Sequence, residues 1–184
     1  MHLTLQGVIP VPLRDKITNG SSGVWKTDLT LNKGEYIFIQ APSGTGKTTL
    51  VHILYGLRQD YNGSVKWDTT EMQNCEHETL ANLRTTGISV IFQDMRLFPE
   101  LTAWENIDIK RRLTSTVTEQ QAGEWMDRLG LKDKKNSVGS TLSYGEQQRV
   151  AIIRALLQPF DWLLMDEPFS HLDHANTGKA KMGR

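Results

Sequence analysis

The sequence lacks most of the features that mark a specialised class. It has one cysteine, Cys75, among 184 residues, which excludes an internal disulfide and suits a reducing compartment. Its 21 Lys and Arg equal its 21 Asp and Glu, so no global charge draws it to nucleic acid or an anionic membrane. No run of about 18 apolar residues is present, and the first residues have no signal-peptide pattern. A soluble, cytosolic protein is expected, with any membrane role arriving through a partner. Cys75 and His77 are two ligand types in a polar stretch, short of a metal site. The basic runs Lys110-Arg111-Arg112 and Lys132 to Lys135 read as solvated helix faces. Neither internal repeats nor low-complexity tracts occur. The length allows a single domain with one sizeable core.

What the chain does have is a stretch from Tyr36 to Leu50. An apolar, β-prone run, Tyr36 to Ile39, passes into Ala41-Pro42-Ser43-Gly44-Thr45-Gly46-Lys47-Thr48-Thr49 and then a helical pattern. Strand, small-residue loop and helix form the setting of a phosphate-binding loop. Gly44 and Gly46 let the backbone bend so that several N–H groups converge on one anion, and the helix adds its positive end. Lys47 is placed to reach the β- and γ-phosphates, and the Thr48 hydroxyl to join a Mg²⁺ shell. The pattern G-x-x-x-x-G-K-[ST] is met except at its first letter, where Ala41 stands.

Around this loop, strand and helix signals alternate. Strands are expected at His2 to Ile9, Trp25 to Leu31, Tyr36 to Gln40, Gly63 to Trp67, Gly87 to Gln93 and Trp162 to Met165. Tyr36 to Gln40 is continuously apolar, which predicts a strand buried on both faces. Leu50, Val51, Leu54 and Leu57 share one helical face, and Glu76 to Arg84 suggests a short helix. From Thr102 to Thr141 helix signals dominate. Capping boxes stand at Thr102 with Glu105, Thr118 with Gln121 and Ser143 with Glu146. Ala122, Trp125, Met126 and Leu129 line one face before Gly130; Val150, Ile153, Leu156 and Leu157 line another. The expected fold is α/β: a mainly parallel sheet, an antiparallel N-terminal β portion, and a helical subdomain at 102–141 inserted between core segments 1–101 and 142–184. Ligands of such a sheet sit at the carboxyl ends of strands, where the loop, Gln93 and Asp166-Glu167 fall.

Four further elements follow the loop in order. They are Gln93 at a strand end, Leu142-Ser143-Tyr144-Gly145-Glu146-Gln147-Gln148-Arg149-Val150, Leu163-Leu164-Met165-Asp166-Glu167, and Ser170-His171-Leu172-Asp173. In this order the chain resembles the ATP-binding cassette (ABC) ATPases, P-loop NTPases, over nearly its whole length. Leu83-Arg84, Ile91-Phe92-Gln93, Leu97 to Thr102 and Glu105-Asn106 are similar to the branch serving lipoprotein release, macrolide export and cell-division complexes.

The resemblance implies ATP and Mg²⁺ as ligands. It implies that Ala41 to Thr49 bind the phosphates, that Asp166 holds Mg²⁺ through water, and that Glu167 is the general base toward the attacking water. Gln93 would sense the γ-phosphate and its metal. Ser143, Gly145 and Glu146 belong to the signature run, which in this family contacts ATP bound to the opposing subunit, and Asp173 would lie across the dimer seam. Partners so implied are a second cassette, in a homodimer, and an integral membrane permease that holds the chain on the inner face of the membrane. No nucleic-acid partner is expected.

Four departures from the family bear on activity. Ala41 replaces a glycine, which matters only if that position has φ > 0. Tyr144 replaces the first glycine of the signature's pair. The usual adenine-stacking aromatic gives way to Pro10-Val11-Pro12-Leu13, leaving Trp25 as a substitute only if its loop folds back. The sequence runs 11 residues past Asp173 (184 minus 173), so the family's switch histidine and final strands are expected to be missing, with an exposed sheet edge. The main reading is an ATP-hydrolysing subunit of a transporter complex. Alternatives are an ATP-dependent dimerisation switch with little hydrolysis, or a cassette without a transport role.

Overall fold

A computed structural model of the chain describes residues 1–18 and 22–167. Ser170, His171 and Asp173 therefore lie outside the described residues. The strands are β1 (His2–Pro10), β2 (Asp28–Asn32), β3 (Tyr61–Trp67), β4 (Thr70–Glu71), β5 (Ile88–Ile91) and β6 (Trp162–Met165). The helices are α1 (Arg14–Thr18), α2 (Lys47–Leu54), α3 (His77–Thr86), α4 (Ala103–Thr114), α5 (Glu119–Arg128) and α6 (Tyr144–Leu156). The chain groups into two compact units. One is Met1–Ile88 with Phe160–Leu164; the other is Ser89–Pro159 with the described residues from Met165 on.

The first unit is built on an antiparallel sheet in the order β2-β1-β3-β4, the expected N-terminal β portion. Leu3 and Leu5 of β1 face Val65 and Trp67 of β3, and all four are buried. Period-2 alternation along β1 produces this face. Leu50, Ile53 and Leu54 of α2 are buried in the same unit, whereas Leu57 lies past the helix end and is exposed. The ring of Trp162 packs at a tilt on Trp67, centroids 5.6 Å apart, and the Asp161 and Trp162 amides donate to the Gly87 carbonyl.

One expected strand does not form. Residues 36–40 belong to neither sheet. Tyr36 is fully exposed and Phe38 is 87% exposed, with Ile37 and Ile39 also open. An apolar run has no cause to stay buried or laddered unless neighbours pair both of its edges. Among the described residues no strand does so.

The second unit is mainly helical. Ala103 and Ile107 of α4, Ala122 and Met126 of α5, and Val150, Ile153 and Leu157 at α6 form one core with Leu131 and Leu142. Trp125 and Leu129 pack against it half-buried. Leu156, expected on this face, is 37% exposed; Leu157, one position on, takes the inward direction. All three capping boxes form, with each N-cap hydroxyl accepting from the N3 amide and each N3 side chain reaching back. Helix α6 thus shares its core with α4 and α5. Strands β5 and β6 form a separate two-stranded sheet.

Candidate functional site

In the first unit, the loop 41–46 closes on the N-terminus of α2. Gly44 (φ 77°) and Gly46 (φ 100°) both adopt left-handed backbone, a conformation that costs a side-chain-bearing residue about 1 kcal/mol or more. Gly46 is the N-cap of α2, and its carbonyl accepts the first helical bond from the Leu50 amide at 2.8 Å. Thr45 Oγ1 donates to the Pro42 carbonyl at 2.8 Å. Lys47 Nζ folds back over the loop, donating to the carbonyls of Ala41 (3.0 Å) and Pro42 (3.3 Å). Its ammonium thus stands over the same turn that presents the loop's amides. Ala41 is not among the residues with positive φ, so its methyl is accommodated without left-handed strain. Ser43, Thr48 and Thr49 lie at least partly open to solvent.

Trp25 resolves differently from its expected alternative role. It is 7% exposed, and its indole N–H donates to the Thr45 carbonyl at 3.0 Å. The ring lies against the phosphate loop itself and offers no open face for a base.

In the second unit, β5 delivers Gln93 to its exposed end. Ser89 of the same strand is buried and donates from Oγ to the Ala155 carbonyl at 2.6 Å, tying β5 to α6. After Gln93 the chain turns through Met95 (φ 55°) and Arg96 (φ 48°), two successive left-handed residues. The guanidinium of Arg96 lies 3.7 Å from the Phe92 ring centroid, and Arg154 donates to the Arg96 carbonyl at 2.8 Å. The next segment is clamped by Asn106, which is buried. Its Oδ1 accepts from the Phe98 amide at 2.8 Å, and its Nδ2 donates to the carbonyls of Phe98, Leu101 and Thr102.

At the signature run, Ser143 caps α6 and Glu146 closes the box, its Oε2 accepting from the Ser143 amide at 2.8 Å. That bond first, then the Ser143 hydroxyl and the Lys134 ammonium at 3.2 Å, holds the Glu146 carboxyl below its ordinary range. Glu146 is thereby committed to the helix end. The Tyr144 hydroxyl donates to the Gln93 carbonyl at 3.3 Å, joining the residue that departs from the family pattern to the strand end bearing Gln93.

Asp166 follows β6, only 2% exposed, its amide donating to the Ile91 carbonyl at 3.0 Å. Glu167 is exposed and left-handed at φ 47°, an unfavourable state for a glutamate of the kind that collects at functional sites. In its unit the structure therefore brings together Gln93 with Tyr144, and β5 with Asp166. Thr48, Gln93 and Asp166 all offer hard oxygen donors, the donor chemistry Mg²⁺ takes.

Residues 24–170 match the ABC transporter family. The chain belongs to that family. It is 37% identical over 152 residues to the lipoprotein-releasing system ATP-binding protein LolD of Bacteroides fragilis, covering 81% of this chain and 70% of LolD. To the uncharacterized ABC transporter ATP-binding protein YvrO of Bacillus subtilis it is 36% identical over 149 residues, covering 79% and 65%. An uncharacterized ABC transporter ATP-binding protein of Mycobacterium tuberculosis is 34% identical over 149 residues, and the chain spans 45% of that relative's length. The dimeric ABC transporter cassette MJ0796 superposes with a TM-score of 0.79 at 28% identity, over 96% of this chain and 78% of that one. A second structure of that cassette is a post-hydrolysis state bound to ADP and Pi.

Within this ABC cassette, the sequence pattern marks Asn106 only as part of the branch resemblance, without its clamping role, and gives no sign of the left-handed pair Met95-Arg96. A buried Asn three to four residues inside a capped helix is a legible sign of a backbone clamp. Left-handed Met and Arg leave no compositional sign.

Proposed function

We propose that the chain is an ATP-binding and ATP-hydrolysing subunit of an ABC transporter-type membrane complex, working as a head-to-tail dimer with a second cassette and docked on an integral membrane permease. The observation that carries this is the phosphate loop: left-handed Gly44 and Gly46, Lys47 turned over them, and the N-terminus of α2 behind, in a chain whose later motifs follow in the family's order. The loop amides bind phosphate oxygens through N–H donors and the helix end. Lys47 exchanges its loop carbonyls for β- and γ-phosphate oxygens, a charge-assisted replacement. Thr48, Gln93 and Asp166 would supply oxygen donors to Mg²⁺; the ion, when bound, neutralises phosphate charge. Glu167 accepts a proton from the water that attacks the γ-phosphorus. Ser143 and Gly145 contact the nucleotide of the opposing subunit, and Asp173 acts at the dimer seam. In this reading the work is done from the cytoplasmic face, through the permease; among the described residues no helix is long and apolar enough to cross a membrane.

Tyr144 favours a second reading, ATP-driven dimerisation with little turnover, because its exposed ring stands beside Ser143 where the family pattern has glycine. One experiment separates the two. Steady-state phosphate release is measured for the wild-type chain and Glu167→Gln with Mg·ATP. The main reading expects turnover that falls by about 10²- to 10⁴-fold in the variant, with ATP binding retained. Nucleotide binding without Glu167-dependent phosphate release supports the switch instead.

A further inference from the structure

Trp25 stands 20 residues before Thr45 of the phosphate loop in sequence, yet it is built into that loop. Its indole N–H donates to the Thr45 carbonyl at 3.0 Å, and it is almost wholly buried. A Cβ added to Gly46 would lie 3.1 Å from Trp25 Cζ2 and 2.5 Å from Leu13 Cδ1. Thus Trp25 and Leu13 form the wall against which the loop's last glycine packs. Trp25 is itself fixed from the other side. Ser22 Oγ accepts from the amides of Val24 (3.2 Å) and Trp25 (2.9 Å), Thr27 Oγ1 donates to the Val24 carbonyl at 2.8 Å, and the Lys26 amide donates to the Val8 carbonyl of β1 at 3.0 Å. The turn carrying Trp25 is therefore bonded to the sheet, and the loop is bonded to Trp25.

We infer that Trp25 is a positioning residue for nucleotide binding, which fixes the Thr45–Gly46 peptide through its indole N–H and so sets the direction of the amides at the start of α2. A carbonyl held by a buried donor cannot rotate freely. The adjoining Gly46 amide is part of the same rigid peptide plane, so it is held in the direction a phosphate oxygen needs without reordering on binding. This rests on the nucleotide-binding reading above.

The test uses the full chain with Trp25→Phe and, to preserve ring shape while removing only the donor, replacement of the indole by benzothiophene. Two measurements are made: hydrogen exchange of amides 43–47 without nucleotide, and Mg·ATP affinity together with KM and kcat. Faster loop exchange in both variants, an ATP affinity lower by about five-fold and a KM raised more than kcat is lowered are expected. Unchanged loop exchange, or faster exchange with unchanged affinity, overturns the inference. Should the wild-type chain itself bind no ATP, the nucleotide reading fails and the positioning role falls with it, while exchange still reports whether the indole anchors the loop.

Discussion

Glu167 carries the sharpest conflict between stability and chemistry at single-residue resolution. Its φ of 47° is paid for elsewhere in the fold, because a glutamate gains nothing locally from left-handed backbone. If the conformation rather than the side chain is the source of strain, Glu167→Gly is more stable than Glu167→Ala by about 1 kcal/mol, and both lose turnover. Denaturant unfolding of the two variants checks this. Equal stabilities would place residue 167 in ordinary backbone. Ala41 is the opposite case. It departs from the family's glycine without left-handed φ, so the sequence-level doubt about it disappears once the backbone is known.

At the scale of elements, helix starts were the most legible part of the chain. Thr102, Thr118 and Ser143 each pair with a Glu or Gln three residues on, and a capping box depends only on that local spacing. The one at Ser143 is also sensitive to pH. The Glu146 carboxyl is held below its ordinary value by the Ser143 amide, with the Ser143 hydroxyl and Lys134 adding to it. A depressed folded value means the unfolded chain binds the proton more readily. The stabilisation is therefore full above the unfolded value, at about pH 5 and higher, and is lost as pH falls through the lowered folded value. Thermal unfolding from pH 7 to pH 3 is expected to show a smaller acid loss in Glu146→Gln than in wild type. Identical pH profiles would remove Glu146 from the account of acid stability. Strands were less legible for a physical reason. Tyr36 to Ile39 has strand composition, but a strand is a property of its neighbours, and composition names no partner. Leu156 and Leu157 were indistinguishable by periodicity alone, and only packing chose between them. Trp25 qualifies as a substitute for the base-stacking aromatic only if its loop folds back, and spacing cannot encode that the fold-back places its indole on the Thr45 carbonyl instead.

For the molecule as a whole, the exposed run Tyr36 to Ile39 leads directly into the phosphate loop and leaves an apolar surface open. Phe38→Lys is expected to leave the unfolding midpoint nearly unchanged, within about 0.5 kcal/mol, and to reduce self-association measured by sedimentation. Burial of Phe38 in a core strand would instead show as a loss of about 3–5 kcal/mol. The order of motifs along the chain made the family legible before any geometry. What no motif could convey is how the phosphate loop is braced, and the bracing lies in contacts among Trp25, Leu13 and Gly46.

The central claim is that this loop binds a nucleoside triphosphate through Lys47 and the amides around Gly44 and Gly46. Calorimetric titration of the full chain with Mg·ATP, alongside Lys47→Ala, tests it most directly. Saturable binding by the wild type, weakened roughly ten- to hundredfold in the variant as expected for loss of charge-assisted bonds, is the predicted result. Absence of binding by the wild type, or equal affinity in Lys47→Ala, would contradict it.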